Sequence, residues 1–216
     1  MNAGKSTELL NNNFSYSHRG CYTFLMKPKI DNRHGDTISS RVGFKKDADF
    51  VYTEYNKDLE KFLKKVLKNQ GILFIDESQF FDRNDIHKIV DFLRLHQYDY
   101  QDADRTMVFA YGLLTDWHGK LFEGASGWIE VADNIKEIDS KCSTYGCQNK
   151  ATKNYLLPKY QNNNGNIIIG DEIYAPLCNE CYLLYQLKEK NKKHPTKKIT
   201  KLIEEIKDNK DMSLDE

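Results

Sequence analysis

Two adjacent carboxylates, Asp76 and Glu77, follow a run of four apolar residues that extends from Ile72 to Ile75. A short run of this kind predicts a strand that is buried on both faces of a sheet. In open α/β sheets, ligands bind outside the carboxyl ends of the strands, so the pair lies where chemistry is expected. One carboxylate would hold a metal ion and the other would accept a proton. The alternative interpretation is a solvated strand end without a chemical role.

A second motif lies at the start of the chain, where Gly4-Lys5-Ser6 forms the back half of the P-loop pattern G-x-x-x-x-G-K-[ST]. In such a loop the backbone amides and the next helix N-terminus surround phosphate oxygens. Lys5 would reach the outer phosphates and Ser6 would bind Mg²⁺. A bare G-K-S is common, but its pairing with a buried strand that ends in Asp76 predicts a magnesium–nucleotide site.

Four cysteines in the second half of the chain form two pairs, C-x₄-C and C-x₂-C, which are the residues Cys142, Cys147, Cys178 and Cys181. Thiolates on two tight turns converge readily on tetrahedral Zn²⁺, so this spacing favours a structural zinc site. Four reduced thiols without a metal are the alternative.

The elements that position these residues follow from hydrophobic periodicity. Apolar runs alternate with amphipathic segments, which predicts a mostly parallel sheet flanked by helices, of the P-loop NTPase type. Lys27 to Lys46 is polar and is predicted to be a loop, and Asp85 is placed to cap a helix. The predicted helices are 7–16, 56–68 and 85–96, and the predicted strands are 21–26, 72–75 and 106–111.

Composition excludes several classes of partner. The chain has 216 residues with 32 Lys and Arg against 32 Asp and Glu, so no net charge favours nucleic acid or acidic membranes. No segment approaches the roughly 20 apolar residues of a membrane span, and a signal peptide is not expected. The cysteines do not form a disulfide framework, which favours a cytoplasmic protein.

Four motifs in sequence order resemble the type II (cytosolic) thymidine kinases, and they lie at residues 1–10, 75–81, 111–124 and 142–182. They contain G-K-S-T-E-L, D-E-x-Q-F-F, Y-G-L-x-T-D-W-x-G-x-x-F, and two cysteine pairs that flank a loop ending in Y-x-P-x-C. The resemblance covers the chain up to residue 182.

The resemblance implies phosphoryl transfer from ATP to the 5′-hydroxyl of thymidine, which gives dTMP and ADP. Glu77 would be the general base, Ser6 and Asp76 would hold Mg²⁺, and Asp31 and Arg33 would lie near the transferred phosphoryl group. The residues expected to bind ATP and its phosphates are Asn2, Ala3, Gly4, Lys5, Ser6, Thr7, Asp31, Arg33, Asp76 and Gln79. Those expected around thymidine are Met1, Phe80, Leu113, Trp117, Phe122, Asn154, Gly165, Asn166, Ile167, Ile168, Ile169, Gly170 and Tyr174.

The resemblance also implies an organisation for the chain. Residues 1–138 would form a P-loop kinase domain and residues 139–182 a small zinc-binding lasso domain. Residues 183–216 lie outside the resemblance, and apolar residues at helical spacing predict a solvated helical tail without chemistry there. In the lasso, most contacts with the base would come from the backbone. A homotetramer inhibited by dTTP is expected, with ATP and thymidine as ligands and no nucleic-acid or membrane partner.

The sequence departs from the family pattern at several positions. Trp117 stands where phenylalanine is usual, Asn154 replaces a small polar residue, and Ile169 replaces a lasso glycine. The C-x₄-C spacing is longer than the usual C-x₂-C.

The first P-loop glycine and its strand would precede Met1. We therefore expect Met1 to be an internal methionine of a longer protein, and residues 1–216 alone to lack kinase activity. Two other functions stay open at this point: a catalytically dead nucleotide-binding protein with a zinc site, and an ATPase with another acceptor.

Overall fold

A computed structural model describes residues 3–99, 106–160, 173–193 and 197–208 of the chain. These residues divide into two compact units. The larger unit comprises Gly4–Asp116 and Lys120–Glu137, and the smaller comprises Met1–Ala3, Trp117–Gly119 and Ile138–Glu216. None of the described helices has the length and apolar character needed to cross a membrane.

The larger unit is built on a four-stranded parallel sheet with the order β4-β1-β5-β6. A separate antiparallel pair, β2 and β3, lies within the same unit. The mostly parallel α/β architecture is confirmed. Its strands are β1 (Thr23–Pro28), β2 (Thr37–Ser39), β3 (Lys45–Asp47), β4 (Phe50–Tyr52), β5 (Ile72–Ile75) and β6 (Val108–Ala110), and its helices are α1 (Lys5–His18), α2 (Lys57–Lys68), α3 (Arg83–His96) and α4 (Glu123–Val131).

Helix α2 shows why the sequence forms these elements. The Asn56 side chain accepts hydrogen bonds from the backbone N–H groups of Asp58 and Leu59, which caps the helix. Apolar residues at helical spacing form one buried face, which packs in the same core as β5 and α3. These buried residues of α2 are Leu59, Phe62, Leu63, Val66 and Leu67.

Three details of the sequence prediction were wrong. Residues 27–46 are not all loop, because Lys27 and Pro28 end β1 and the segment also contains β2 and the start of β3. Asp85 does not cap α3; Asp82 does, by accepting a hydrogen bond from the Asp85 N–H at 3.0 Å. The strand predicted at 106–111 is only β6, which is half-buried and ends at the exposed Ala110.

The smaller unit contains the antiparallel pair β7 (Lys153–Leu156) and β8 (Tyr174–Leu177), followed by α5 (Asn179–Lys193) and α6 (Lys197–Asp208). The proposed tail boundary at residue 183 falls inside α5, so the start of the tail continues an ordered helix. Cys142, Cys178 and Cys181 are buried in its core beside Tyr155 and Leu177.

Candidate active site

The carboxylates Asp76 and Glu77 leave the carboxyl end of β5, as predicted, and both are buried. Glu77 adopts the left-handed conformation, with φ 45° and ψ 42°, and begins a 3₁₀ turn at Ser78–Phe80. This conformation costs a non-glycine residue about 1–3 kcal/mol, and such strain clusters at functional sites. The Ser78 N–H donates to the Tyr111 carbonyl at 2.9 Å, which holds the turn against the end of β6.

Asp76 contacts the first turn of α1. The Ser6 hydroxyl donates to Asp76 Oδ2 at 2.9 Å, whereas Asp76 Oδ1 is buried without a hydrogen-bond partner among the described residues. Burial raises the pKa of Asp76 to about 6; the charge of Glu77 raises it too, and the charge of Lys5 and the Ser6 hydroxyl oppose the shift. A carboxylate oxygen without a partner beside a hydroxyl fits Mg²⁺, which prefers oxygen ligands.

Helix α1 begins directly after Gly4, which has φ 76°, a conformation that favours glycine. The Gly4 carbonyl accepts a hydrogen bond from the Glu8 N–H at 2.8 Å. Lys5, Ser6 and Thr7 therefore form the first helical turn, and helix N-termini of this kind bind phosphate groups.

A chain of alternating charges crosses the carboxyl edge of the sheet. Lys27, on β1, has 2 % of its side chain exposed, and its Nζ lies 3.5 Å from Asp31 Oδ2. Arg33 Nε lies 2.6 Å from Asp31 Oδ1, and Arg33 Nη2 lies 2.9 Å from Glu77 Oε1. Burial alone would raise the pKa of Asp31, but the hydrogen bond and charge of Arg33, together with the charge of Lys27, lower it below its ordinary value.

The loop after β1 is held by the same lysine, because Lys27 Nζ donates to the carbonyl oxygens of Gly35 at 2.8 Å and Thr37 at 3.4 Å. The structure therefore brings together Asp31, Arg33 and Glu77. Lys27 was not among the residues predicted from the sequence, although a lysine that directly follows the apolar run 24–26 is a visible signal.

Two glycines allow the turn after Glu77 to pack closely. A Cβ on Gly112 would lie 2.6 Å from Ser78 Oγ and 2.9 Å from Gln79 Oε1. A Cβ on Gly124, in α4, would lie 2.5 Å from the Phe81 carbonyl oxygen. Both positions therefore require glycine for steric reasons, and neither was predicted from the sequence.

Part of the proposed nucleoside site lies in the larger unit. The rings of Phe80 and Phe122 are 5.9 Å apart and nearly perpendicular, with an interplanar angle of 77°. The Leu113 N–H donates to Gln79 Oε1 at 2.9 Å, so Leu113 is joined to the turn that carries Phe80. Gln79, which the resemblance predicts to bind phosphate, donates through Nε2 to Glu77 Oε2 at 2.7 Å.

Other proposed nucleoside contacts belong to the smaller unit. The Trp117 carbonyl accepts a hydrogen bond from the Tyr182 hydroxyl at 3.4 Å. Asn154 lies on β7 and Tyr174 begins β8. Ala3 belongs to the smaller unit. Eight of the residues proposed from the resemblance lie outside the described part of the chain: Met1, Asn2, Gly165, Asn166, Ile167, Ile168, Ile169 and Gly170.

The four cysteines of the smaller unit converge as predicted. The Sγ atoms of Cys142, Cys147, Cys178 and Cys181 all lie within 4.8 Å of one another. Four sulfurs bound tetrahedrally to zinc at about 2.3 Å lie about 3.8 Å apart, so the cluster has the size that zinc needs. The Cys147 and Cys178 sulfurs are 3.8 Å apart.

The backbone around the cysteines explains the convergence. The Cys142 N–H donates to the Asn149 carbonyl at 2.9 Å, and the Ser143 N–H donates to the Pro176 carbonyl at 2.8 Å. These bonds place the first cysteine pair beside Cys178, which follows β8. The longer C-x₄-C spacing is accommodated by a turn in which the Cys147 N–H donates to the Thr144 carbonyl at 3.0 Å.

Comparison with known proteins agrees with this geometry. The family model described as thymidine kinase matches residues 1–182. The chain belongs to the thymidine kinase family. The thymidine kinase of Enterobacteria phage T4 is 34 % identical over 186 residues, which cover 82 % of this chain and 89 % of the phage protein.

Two bacterial relatives give the same result. A thymidine kinase of Legionella pneumophila (strain Lens) is 32 % identical over 212 residues, which cover 92 % of this chain and 91 % of the relative. A thymidine kinase of Streptococcus gordonii is 32 % identical over 187 residues, covering 84 % of this chain and 91 % of that protein. The site described above therefore lies in a member of the thymidine kinase family.

Proposed function

We propose that the protein transfers the γ-phosphoryl group of ATP to the 5′-hydroxyl of thymidine, which yields dTMP and ADP. The observation that carries the proposal is the Glu77 carboxylate, held at the carboxyl end of β5 by Arg33 and Gln79 and adjacent to the Asp76–Ser6 pair. Membership of the thymidine kinase family supports the choice of acceptor.

In this proposal Glu77 accepts the proton of the 5′-hydroxyl as the oxygen attacks phosphorus. Arg33 stabilises negative charge on the transferred group, and Asp31 holds Arg33 in place. The first turn of α1 and Lys5 bind the phosphates. Mg²⁺, held by Ser6 and Asp76, would neutralise charge between the phosphates.

For the acceptor, we propose that the thymine ring packs against Phe80 and Phe122, with Leu113 lining the same pocket. Aromatic and apolar side chains at strand ends suit a planar base, and stacking on one contributes about 1–3 kcal/mol. Trp117, Asn154, Tyr174 and the segment 165–170 remain proposed contacts from the family resemblance.

Residues 1–138 are proposed as the phosphotransfer domain, 139–182 as the zinc-binding lasso domain, and 183–216 as a tail without a catalytic role. Zn²⁺ would be structural, since all four ligands come from protein and leave no open position. A cytoplasmic homotetramer remains the expectation from the family resemblance.

The test is an assay of dTMP formation from ATP and thymidine, with deoxyadenosine and deoxyguanosine as competing acceptors. We expect the protein to phosphorylate thymidine preferentially. A preference for a purine nucleoside would overturn the choice of acceptor, and a protein that binds ATP but phosphorylates no nucleoside would overturn the kinase proposal.

Glu77→Gln tests the general base and the rival idea of a catalytically dead homologue. Removal of a general base lowers the rate about 10²–10⁴-fold, while ATP binding should stay near the wild-type value. Glu54→Gln is the matched control, because Glu54 is exposed and lies outside the site. Equal turnover by Glu77→Gln and wild type would show that Glu77 is not the base.

A further inference from the structure

We infer that Gln79 is a positioning residue for Glu77: its side-chain amide fixes the orientation of the Glu77 carboxylate by bridging that carboxylate to the backbone at Leu113. The inference rests on the proposed role of Glu77 as general base. Gln79 Nε2 donates to Glu77 Oε2 at 2.7 Å, and Gln79 Oε1 accepts from the Leu113 N–H at 2.9 Å.

The chemistry of the partners fixes the direction of the Gln79 amide. The Leu113 backbone N–H can only donate, so the oxygen of the amide must face it. The nitrogen must then face Glu77, whose ionised carboxylate can only accept. The orientation is therefore determined by the partners on both sides and does not depend on distinguishing oxygen from nitrogen in the side chain.

Burial makes this bridge specific. Gln79 is 3 % exposed, and a buried amide that loses a partner keeps the full cost of its desolvation. Gly112 removes the Cβ that would otherwise lie 2.9 Å from Gln79 Oε1, so the backbone after β6 can approach the amide. The bridge thus needs Gln79 and Gly112 together.

The two oxygens of Glu77 have different partners. Oε1 is bound by Arg33, whose side chain is 23 % exposed, whereas Oε2 is bound by the buried Gln79. In the proposed reaction Arg33 also contacts the transferred phosphoryl group. The Gln79 amide is bound on one side to Glu77 and on the other to the Leu113 N–H, so it keeps the carboxylate oriented while Arg33 contacts a phosphate.

Two substitutions separate this role from a purely structural one. Gln79→Glu keeps an acceptor for the Leu113 N–H but replaces the donor to Glu77 by a second carboxylate oxygen. Gln79→Met has a similar length and removes both bonds. If Gln79 orients Glu77, both variants lower kcat about 10- to 100-fold with little change in KM for thymidine. If it only satisfies Leu113, Gln79→Glu retains the wild-type kcat.

A double-mutant cycle with Glu77→Gln makes the test decisive. A residue that acts through Glu77 has nothing further to lose in the Glu77→Gln background, so Gln79→Met should lower kcat there less than 2-fold, on the order expected for additive error. If Gln79→Met lowered kcat by the same factor in the wild-type and in the Glu77→Gln background, the inference would be overturned. Gln97→Glu and Gln97→Met, in the turn after α3, are the controls and should leave kcat unchanged.

Thermal unfolding gives a readout that needs no catalysis, and for it Glu77→Met replaces Glu77→Gln, because a glutamine at position 77 would still accept a hydrogen bond from Gln79 Nε2. If the Glu77–Gln79 bond exists, the summed Tm losses of Glu77→Met and Gln79→Met should exceed the Tm loss of the double variant by about 2–4 °C. Additive Tm losses would overturn the inference whether or not thymidine is phosphorylated. Coupled Tm values in a protein that phosphorylates no nucleoside would instead overturn the proposed function and leave the Gln79 bridge as a structural fact.

Discussion

The guanidinium of Arg33 lies 2.9 Å from the carboxylate of Glu77, although 44 positions separate the two residues in sequence. Arg33 belongs to the loop after β1 and Glu77 to the end of β5, and these two strands are hydrogen-bonded neighbours in the sheet. The contact therefore depends on the parallel pairing of β1 with β5, which brings both carboxyl ends to one edge. It joins a candidate base and a candidate phosphoryl-binding cation in one ion pair.

Arg33→Lys should lower kcat about 10- to 100-fold, although it keeps the charge. Arg33 contacts Asp31 through Nε and Glu77 through Nη2, and a single ammonium group cannot reproduce this geometry. Steady-state kinetics with thymidine measures the effect. Arg41→Lys, in the exposed turn between β2 and β3, is the control and should match wild type. Full activity of Arg33→Lys would show that only the charge matters.

Gly112→Ala should destabilise the protein by about 1–3 kcal/mol and lower kcat, because the new methyl group overlaps Ser78 and Gln79. Denaturant unfolding and kinetics measure the two effects. Gly20→Ala is a useful comparison, since its φ of 86° strains an alanine but no atom lies within 4 Å of the new Cβ. We expect Gly20→Ala to lose stability only. Unchanged kcat in Gly112→Ala would contradict the steric argument for the turn.

Cys178→Ser should reduce bound zinc from one per chain to a small fraction, as measured by elemental analysis of the purified protein. The thiolate is the better zinc ligand, and burial together with the neighbouring thiols raises the pKa of Cys181 to about 12, so metal is needed to deprotonate it. The chain supplies its own control, because Cys21 is exposed and belongs to the larger unit. Cys21→Ser should keep its zinc; equal metal content in both variants would refute the site.

Asp76 gives a prediction about pH. Its pKa is raised to about 6 from an ordinary value of 3.8, so the folded protein binds this proton more tightly than the unfolded chain. The contribution of Asp76 to stability is therefore most favourable below about pH 4 and falls as pH rises to about 6, by up to about 3 kcal/mol without bound metal.

Asp76→Asn should remove this loss of stability with rising pH and raise the Tm at pH 8. The same substitution should abolish phosphorylation. Unfolding at pH 4, 6 and 8 with a chelator present measures the first effect. Asp91→Asn, an exposed position on α3, should change neither property. A variant Asp76→Asn less stable than wild type at pH 8 would show that the buried carboxylate is not destabilising there.

The sequence predicts the elements with strong periodic signals and misses the short ones. The strand at 72–75 and the apolar face of α2 are confirmed, because each has an uninterrupted pattern. β4 is only three residues long and has no pattern of its own, so no strand was predicted there. For the same reason the segment 27–46 was predicted as loop although it contains β2 and the start of β3.

The residue types of the candidate site could be predicted from the sequence, but the tertiary contacts between its side chains could not. The motifs identify Glu77, Asp76, Ser6 and the four cysteines, since their chemistry is evident from spacing. The contacts of Lys27 and Gln79 depend on tertiary packing across strands, which local spacing does not encode. Asp85 illustrates the same limit: it accepts hydrogen bonds from the Tyr52 hydroxyl and the Tyr55 N–H, both distant in sequence.

The alternating chain of Lys27, Asp31, Arg33 and Glu77 contains two cations and two carboxylates, so its formal charges cancel. Ser6 adds no charge, and Lys5 balances Asp76 when that group is ionised. Among the residues that the structure describes at this edge, the named cations and carboxylates balance, so the charge of a bare polyphosphate would stay largely uncompensated in a buried site. Nucleotide should therefore enter this edge as its divalent-cation complex, and raising the ratio of free nucleotide to cation should inhibit rather than accelerate the enzyme.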